Sequence, residues 1–243
     1  KWTVWFGCSV ILVAVFVGFG QRWLLLDMAR SLPVDPDVVG YVDSAIKVEW
    51  FTPGRGFYSG SFSEREPLHV GGLNLWFSIW GNTTASARWY SMVLSTALIG
   101  ACGGFVWKVS DNPLLGSAAA LIVALHPVWV EESVRGLRLE SMSLLTLAAL
   151  SVWLWMQGWF GAILLGVVTG VMTLLQTPAL SIVLPLVWLC WLVNCWQASR
   201  GAPLLMPSQW RWPQLGLASL LAVTLFLPHL YGLYKVHGDP SWP

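Results

Sequence analysis

Residues 141–176 read SMSLLTLAALSVWLWMQGWFGAILLGVVTGVMTLLQ, and none of them is charged. The run is punctuated only at Gln157-Gly158, which divides it into two apolar halves, 141–157 and 160–176. At about 1.5 Å of rise per helical residue, each half approaches the ~30 Å thickness of a bilayer's hydrocarbon core. Neither half alternates apolar and polar residues, and an open sheet edge cannot face lipid, so the spans read as helices. Five further runs flank them, at roughly 3–25, 89–107, 114–130, 179–196 and 213–233. Their breaks carry turn chemistry: Asp111-Asn112-Pro113, Gln176-Thr177-Pro178, and Arg200 to Pro213. The expected fold is all-α: one polytopic transmembrane bundle over residues 1–243 with about seven spans.

Composition agrees. The 243 residues include 13 basic and 12 acidic side chains, only 10% charged in all, against 56% hydrophobic. Ordinary soluble domains carry about 25% charged residues. Mean hydropathy is +0.64. Trp is enriched, with 18 copies beside 5 Tyr and 10 Phe, as expected of a chain that anchors at bilayer interfaces. The net charge of +1 gives no electrostatic footprint for nucleic acid. Cys8, Cys102, Cys190 and Cys195 lie in or beside apolar runs without metal-ligand spacing, and read as small buried residues. Lys1 and the apolar residues after it resemble a signal peptide. No small-x-small cleavage site follows, so an uncleaved anchor helix is expected.

Charge sets an expected topology. With residue 1 cytoplasmic, alternation places Lys1, Lys108, Arg200, Arg211 and Asp111 inside, a net +3, and leaves −2 outside, including eleven of the twelve acids. That is the sign of the positive-inside rule. The expected location is a bacterial inner membrane with the polar insertion 26–88 on the outer face. Within that insertion, residues 36–50 and 67–80 have helical patterning, the second being too short to cross and suited to the interface. No span is expected to carry an internal ionisable group, which argues against a transporter; nor are inverted repeats evident.

Three constellations could carry chemistry. Asp37, Tyr41 and Ala45 recur at four-residue steps and share a helix face, with Asp37 in the first turn where an acid also suits the helix dipole. Arg65-Glu66-Pro67-Leu68-His69 turns a charged cluster into an apolar helix, Pro67 fitting its first turn. Glu131-Glu132-Ser133-Val134-Arg135-Gly136-Leu137-Arg138-Leu139-Glu140 packs five charges into ten residues between two spans. Arg135 and Arg138 could hold a phosphate, and Glu140 could align a nucleophile or a metal. The structural alternatives are a capping acid, a surface turn with snorkelling charges, and a loop of Arg–Glu pairs.

In order and spacing the three resemble the conserved half of the GT-C superfamily of membrane glycosyltransferases, on the protein O-mannosyltransferase and aminoarabinose-transferase branch. Asp37/Tyr41/Ala45 is similar to that family's D-x-x-x-Y-x-x-x-A motif. Arg65-Glu66-Pro67-Leu68-His69 and Trp80-Gly81 match its juxtamembrane helix, and Arg88 the Arg that opens its second span. His126-Pro127, Arg138-Leu139-Glu140, and Gly166, Gly170 and Leu174-Leu175-Gln176-Thr177-Pro178 follow in the family's order. The likeness covers about residues 1–196. It departs at Val38, where a second acid is common, and at Gln176-Thr177, where a basic residue usually precedes the proline.

The resemblance implies inverting transfer of a sugar from a polyprenyl-phosphate carrier to a lipid or protein acceptor on the outer face. Asp37 would be the base, with Glu140 as second catalytic carboxylate. Arg138, backed by Arg65, His69 and Tyr41, would bind the donor. No cofactor and no obligatory metal site are expected. Partners would be the lipid-linked sugar or another lipid, the membrane, and other membrane subunits. Trp50, Trp76, Trp80 and Trp129 would anchor at the interface or stack on sugar and isoprenoid. The alternative is a catalytically inactive GT-C-like subunit of a larger complex, contacting lipids or pigments, with His126 or His229 as ligands to a porphyrin metal.

Overall fold

The computed structural model describes residues 2–29, 36–50, 58–59, 67–136, 139–156, 158–175, 178–200 and 210–237. Among the described residues the regular structure is helical apart from one two-residue strand pair. In order the elements are α1 (Trp2–Ala29), α2 (Pro36–Ile46), β1 (Glu49–Trp50), β2 (Tyr58–Ser59), α3 (Pro67–Trp80), α4 (Thr84–Ser110), α5 (Pro113–Leu125), α6 (Pro127–Glu132), α7 (Leu139–Trp155), α8 (Gly158–Leu175), α9 (Pro178–Ser199) and α10 (Trp212–His237). β1 and β2 pair antiparallel, Glu49 opposite Ser59. Among the described residues, four helices are long and apolar enough to cross a membrane: Trp2–Met28, Thr84–Ser110, Gly158–Leu175 and Trp212–Tyr231. Pro113–Leu125 and Leu139–Trp155 are apolar but shorter. The chain therefore has the build of an integral membrane protein.

It divides into two compact units, residues 1–48 with 69–147, and 49–68 with 148–243. In the first, α1, α4 and α5 pack together. Gly7 of α1 lies against Pro113, where the Ser117 hydroxyl donates to the Gly7 carbonyl at 3.2 Å. Farther along, Gly18 lies against Ile99 and Ala124. So α1 and α5 run parallel, and α4 runs against both. The α4–α5 turn follows its sequence: Asp111 takes the left-handed cap (φ 50°), Asn112 accepts from the Leu114 N–H at 2.9 Å, and Pro113 opens α5. Gly103 and Gly116 let these helices touch, since a Cβ on Gly116 would stand 2.6 Å from the Gly103 carbonyl oxygen.

The apolar run 114–130 proves to be two helices. Pro127 has no N–H, and it drives His126 to an extended ψ of 120°, so α5 ends at Leu125 and α6 begins afresh.

At the end of this bundle opposite Lys108 and Pro113 sit α2, α3 and the 133–136 turn. Val38, Val42 and Ala45 of α2 bury against Val70, Leu73 and Phe77 of α3 and Ala87 of α4. Leu26, Met92 and Val134 form an adjoining cluster. Gly136 adopts φ +83°, a conformation costly for other residues, and Val38 packs on it.

In the second unit, α8 and α10 cross closely. A Cβ on Gly166 would come within 2.6 Å of the Ala218 carbonyl oxygen, and one on Gly170 within 2.9 Å of Leu225. The Gly166/Gly170 spacing thus has a packing reason of its own, the small-residue contact of membrane helices. Indoles tie the rest. Trp153 and Trp210 stack at 5.2 Å, the Trp210 Nε1 donates to the Trp153 carbonyl at 2.9 Å, and the Trp191 Nε1 donates to the Trp210 carbonyl at 3.0 Å.

Candidate functional site

The first unit holds a file of buried polar side chains running inward from α3. On α4, Arg88, Ser91 and Ser95 fall at three- and four-residue steps and face the interior. Facing them are His69, Glu140 and Arg22, all three fully buried.

Arg22 is the innermost. Contrary to the sequence expectation, a span does hold an ionisable group, and it is enclosed. Its Nε donates to the Ser95 hydroxyl at 2.9 Å. Nη1 donates to the Gly18 and Ala124 carbonyls, each at 3.1 Å, and Nη2 to the Val123 carbonyl at 3.2 Å. The last two contacts explain one another. Continued helix would give the Val123 and Ala124 carbonyls the N–H groups of residues 127 and 128. Pro127 removes the first donor and the break removes the second. The guanidinium supplies both, at a helix end where a cation is favoured. Arg22→Leu is expected to destabilise the protein by about 3 kcal/mol, since it orphans buried acceptors. Pro127→Ala, which restores the helical donor, should recover part of that loss. Thermal unfolding of both single variants and the double variant measures the coupling; strictly additive effects would break the link.

Glu140 lies in the first turn of α7, and neither carboxyl oxygen meets a partner at full hydrogen-bond geometry. Burial raises its pKa from 4.5 to about 8; the Glu132 charge adds to this, and its own main chain, Arg22 and Ser91 partly offset it. His69, in the boundary helix α3, is held down to about 4 by burial, with the nearby Gly136 main chain opposing. Its ring meets Tyr41 edge-on at 4.8 Å and lies 6.0 Å from Tyr90. Both of its nitrogens, the Glu140 oxygens, and the Ser86 and Ser141 hydroxyls are buried without partners at full geometry. Protein groups stand near three of them: the Gly136 main chain by His69, Ser91 by Glu140 and Tyr90 by Ser141.

Asp37 stands exposed in the first turn of α2. Its neighbour Val38 contacts Gly136, two residues before Arg138 in the chain. His69 and Tyr41 are in ring contact. Arg138 and Arg65 lie outside the described residues. Arg135 is engaged with Glu131 at 2.6 Å and Glu132 at 2.8 Å, pairs within one helix turn. Trp76 and Trp80 stack on α3 at 5.6 Å, while the side chain of Trp50 is outside the description. His126 is exposed at the α5–α6 break, and His229 is half-buried beside Phe226. Among the described residues, no group of three His, Cys, Asp or Glu side chains gathers as a metal cage.

Sequence reasoning missed Arg22, Ser91 and Ser95. The signal was present, as one charge inside the first apolar run and a polar stripe at helical spacing in the second. No family model, curated protein or solved structure matches this chain.

Proposed function

We propose that this protein is a membrane glycosyltransferase. Its donor is a sugar linked to polyprenyl phosphate, taken from the outer leaflet, and transfer inverts the anomeric carbon. The observation that supports this most is the gathering of α2, α3, the 133–136 turn and the start of α7 at one end of the bundle. Asp37 stands exposed there, above a buried polar file. An exposed carboxylate at a membrane boundary can deprotonate an acceptor hydroxyl, and a leaving phosphate needs cationic donors.

In this reading Asp37 is the base. Arg138 receives the phosphate, supported by Arg65. Tyr41 and His69 shape the wall against which the donor lies, and Glu140 braces the start of α7 beneath it. The protein crosses the membrane about seven times, with 26–88 outside, in a bacterial inner membrane.

The test is reconstitution in proteoliposomes with a radiolabelled polyprenyl-phosphate sugar and a membrane extract as acceptor. Labelled product should accumulate with stoichiometric release of polyprenyl phosphate. Arg138→Ala should raise the KM for donor about tenfold or more, the loss of one charge-assisted phosphate contact. Asp43→Asn, on another face of α2, is the control and should leave the rate within a factor of about two, because Asp43 only pairs with Lys47 at the exposed surface. No release of polyprenyl phosphate with any donor would end the proposal.

A further inference from the structure

From residue 141 to residue 238 the sequence holds no Asp or Glu, and its basic residues there are Arg200, Arg211 and Lys235. Two of these share one end of the second unit. Arg200 follows the last residue of α9, and Arg211 precedes the first of α10. The hydrogen bond from the Trp191 Nε1 to the Trp210 carbonyl ties the two helices near this end. The residues that join them, 201–209, are uncharged. Both arginines are exposed, and among the described residues neither makes an ion pair. The helix poles do not neutralise them. The carboxyl pole of α9 offsets about half a charge beside Arg200, but the amino pole of α10 adds about as much beside Arg211. The positive charge at this end therefore has no counterpart within the unit.

Indoles accompany the arginines. The Arg200 guanidinium lies over the Trp196 ring, 4.2 Å from its centroid. Trp196 and Trp212 are both more than half exposed. Exposed indoles at the ends of apolar helices sit at the headgroup level of a bilayer. A guanidinium held by its face on an indole still presents its N–H edge, the edge that bonds a phosphate. A soluble anion would use the arginines and leave the indoles bare. An anionic amphiphile would use both.

We infer that this end of the second unit binds anionic phospholipid, phosphatidylglycerol in type, with headgroup phosphate at Arg200 and Arg211 and the glycerol region against Trp196 and Trp212. Charge gives the selectivity. Phosphatidylcholine and phosphatidylethanolamine also carry a phosphate, but their own ammonium groups cancel it, whereas the net negative charge of phosphatidylglycerol answers the two arginines. The inference does not rest on the transferase reading, and its experiment needs no sugar donor.

The test is thermal unfolding of the purified full chain in nanodiscs of phosphatidylcholine alone and with either phosphatidylglycerol or phosphatidylethanolamine added at equal mole fraction. One arginine near an anionic surface favours it about fivefold. A fivefold preference for the folded protein raises the melting temperature of a chain of this size by about 2–4 °C. Phosphatidylglycerol should give a rise of at least that size, and phosphatidylethanolamine should not. Salt at about 1 M should erase the rise, since screening then acts within about 3 Å. The double variant Arg200→Gln/Arg211→Gln should lose the rise while still melting cooperatively in phosphatidylcholine. Lys108→Gln, which removes a charge from the last turn of α4 in the other unit, should keep it. No response to phosphatidylglycerol, an equal response to both added lipids, or a rise that persists in the double variant would overturn the proposal. So would a rise that Lys108→Gln abolishes, or an equal rise from millimolar glycerol phosphate, which would make the ligand a soluble anion.

Discussion

Asp37→Asn is expected to abolish sugar transfer while leaving insertion and folding intact. The substitution preserves shape, and Asp37 is exposed, so packing at the start of α2 barely changes. Two contributions of the carboxylate matter here. One is the carboxylate's favourable charge at a helix N-terminus, worth about 0.3–1 kcal/mol, which Asn partly replaces as a good capping residue. The other is the base. General-base loss costs about 10²–10⁴ in rate, far beyond any effect that the small stability change could have. The measurement is initial transfer rate per folded protein, the folded fraction taken from the same preparation. A near-normal rate would remove Asp37 from the chemistry. It would then favour the reading of this chain as a non-catalytic subunit whose polar file and indoles serve assembly. Val38→Ala helps separate the two. It opens space against Gly136 and Ala87, so it should lower both stability and rate, whereas Asp37→Asn should lower rate with little change in stability.

The helical membrane character of the chain was legible because it rests on composition and run length, which no tertiary contact can override. Helix ends marked by strong local chemistry were legible too: Asp111-Asn112-Pro113 became the turn between α4 and α5 that its residues specify. The division of 114–130 was written in Pro127, but hydropathy averages over a proline and so passed across it. The site was harder. Tyr41 and His69, twenty-eight positions apart, meet only because α2 and α3 bury one apolar face against each other, and that pairing depends on docking. Arg22 was hidden for the opposite reason. In a hydropathy scan one Arg among apolar neighbours looks like noise. Its function becomes visible only beside the carbonyls that a proline a hundred residues away has set free. The Gly166/Gly170 pair carries two readings at once, because a spacing that matches a family motif is also what close crossing of α8 and α10 demands.

Between pH 6.5 and 8 the protein is expected to lose stability, and Glu140→Gln is expected to remove that loss. Glu140 is fully buried, and its pKa rises from 4.5 to about 8 on folding. The folded state thus binds a proton that the unfolded chain has released, and stability falls as pH climbs through this interval. The contribution is complete below 4.5 and gone by about 8. It amounts to at most about 5 kcal/mol at 1.36 kcal/mol per pH unit. His69 acts in the other direction. Its folded pKa is depressed from 6.5 to about 4, so its contribution is complete above 6.5 and is lost as pH falls through 4. From 4.5 to 6.5 the two oppose each other and the wild-type profile should be nearly level. Above 6.5, of these two, Glu140 alone still titrates, and the profile should drop. Gln stays neutral at every pH, so Glu140→Gln should gain stability up to 6.5 and then run flat. His69→Phe should lose the acid limb and keep the alkaline drop. Melting temperatures across pH 4.5–9 for the three proteins decide the matter. Parallel wild-type and Glu140→Gln profiles above 6.5 would mean that Glu140 is already ionised at neutral pH, held by Arg22 and Ser91. The unmet oxygens beneath the candidate site would then belong to a buried anion.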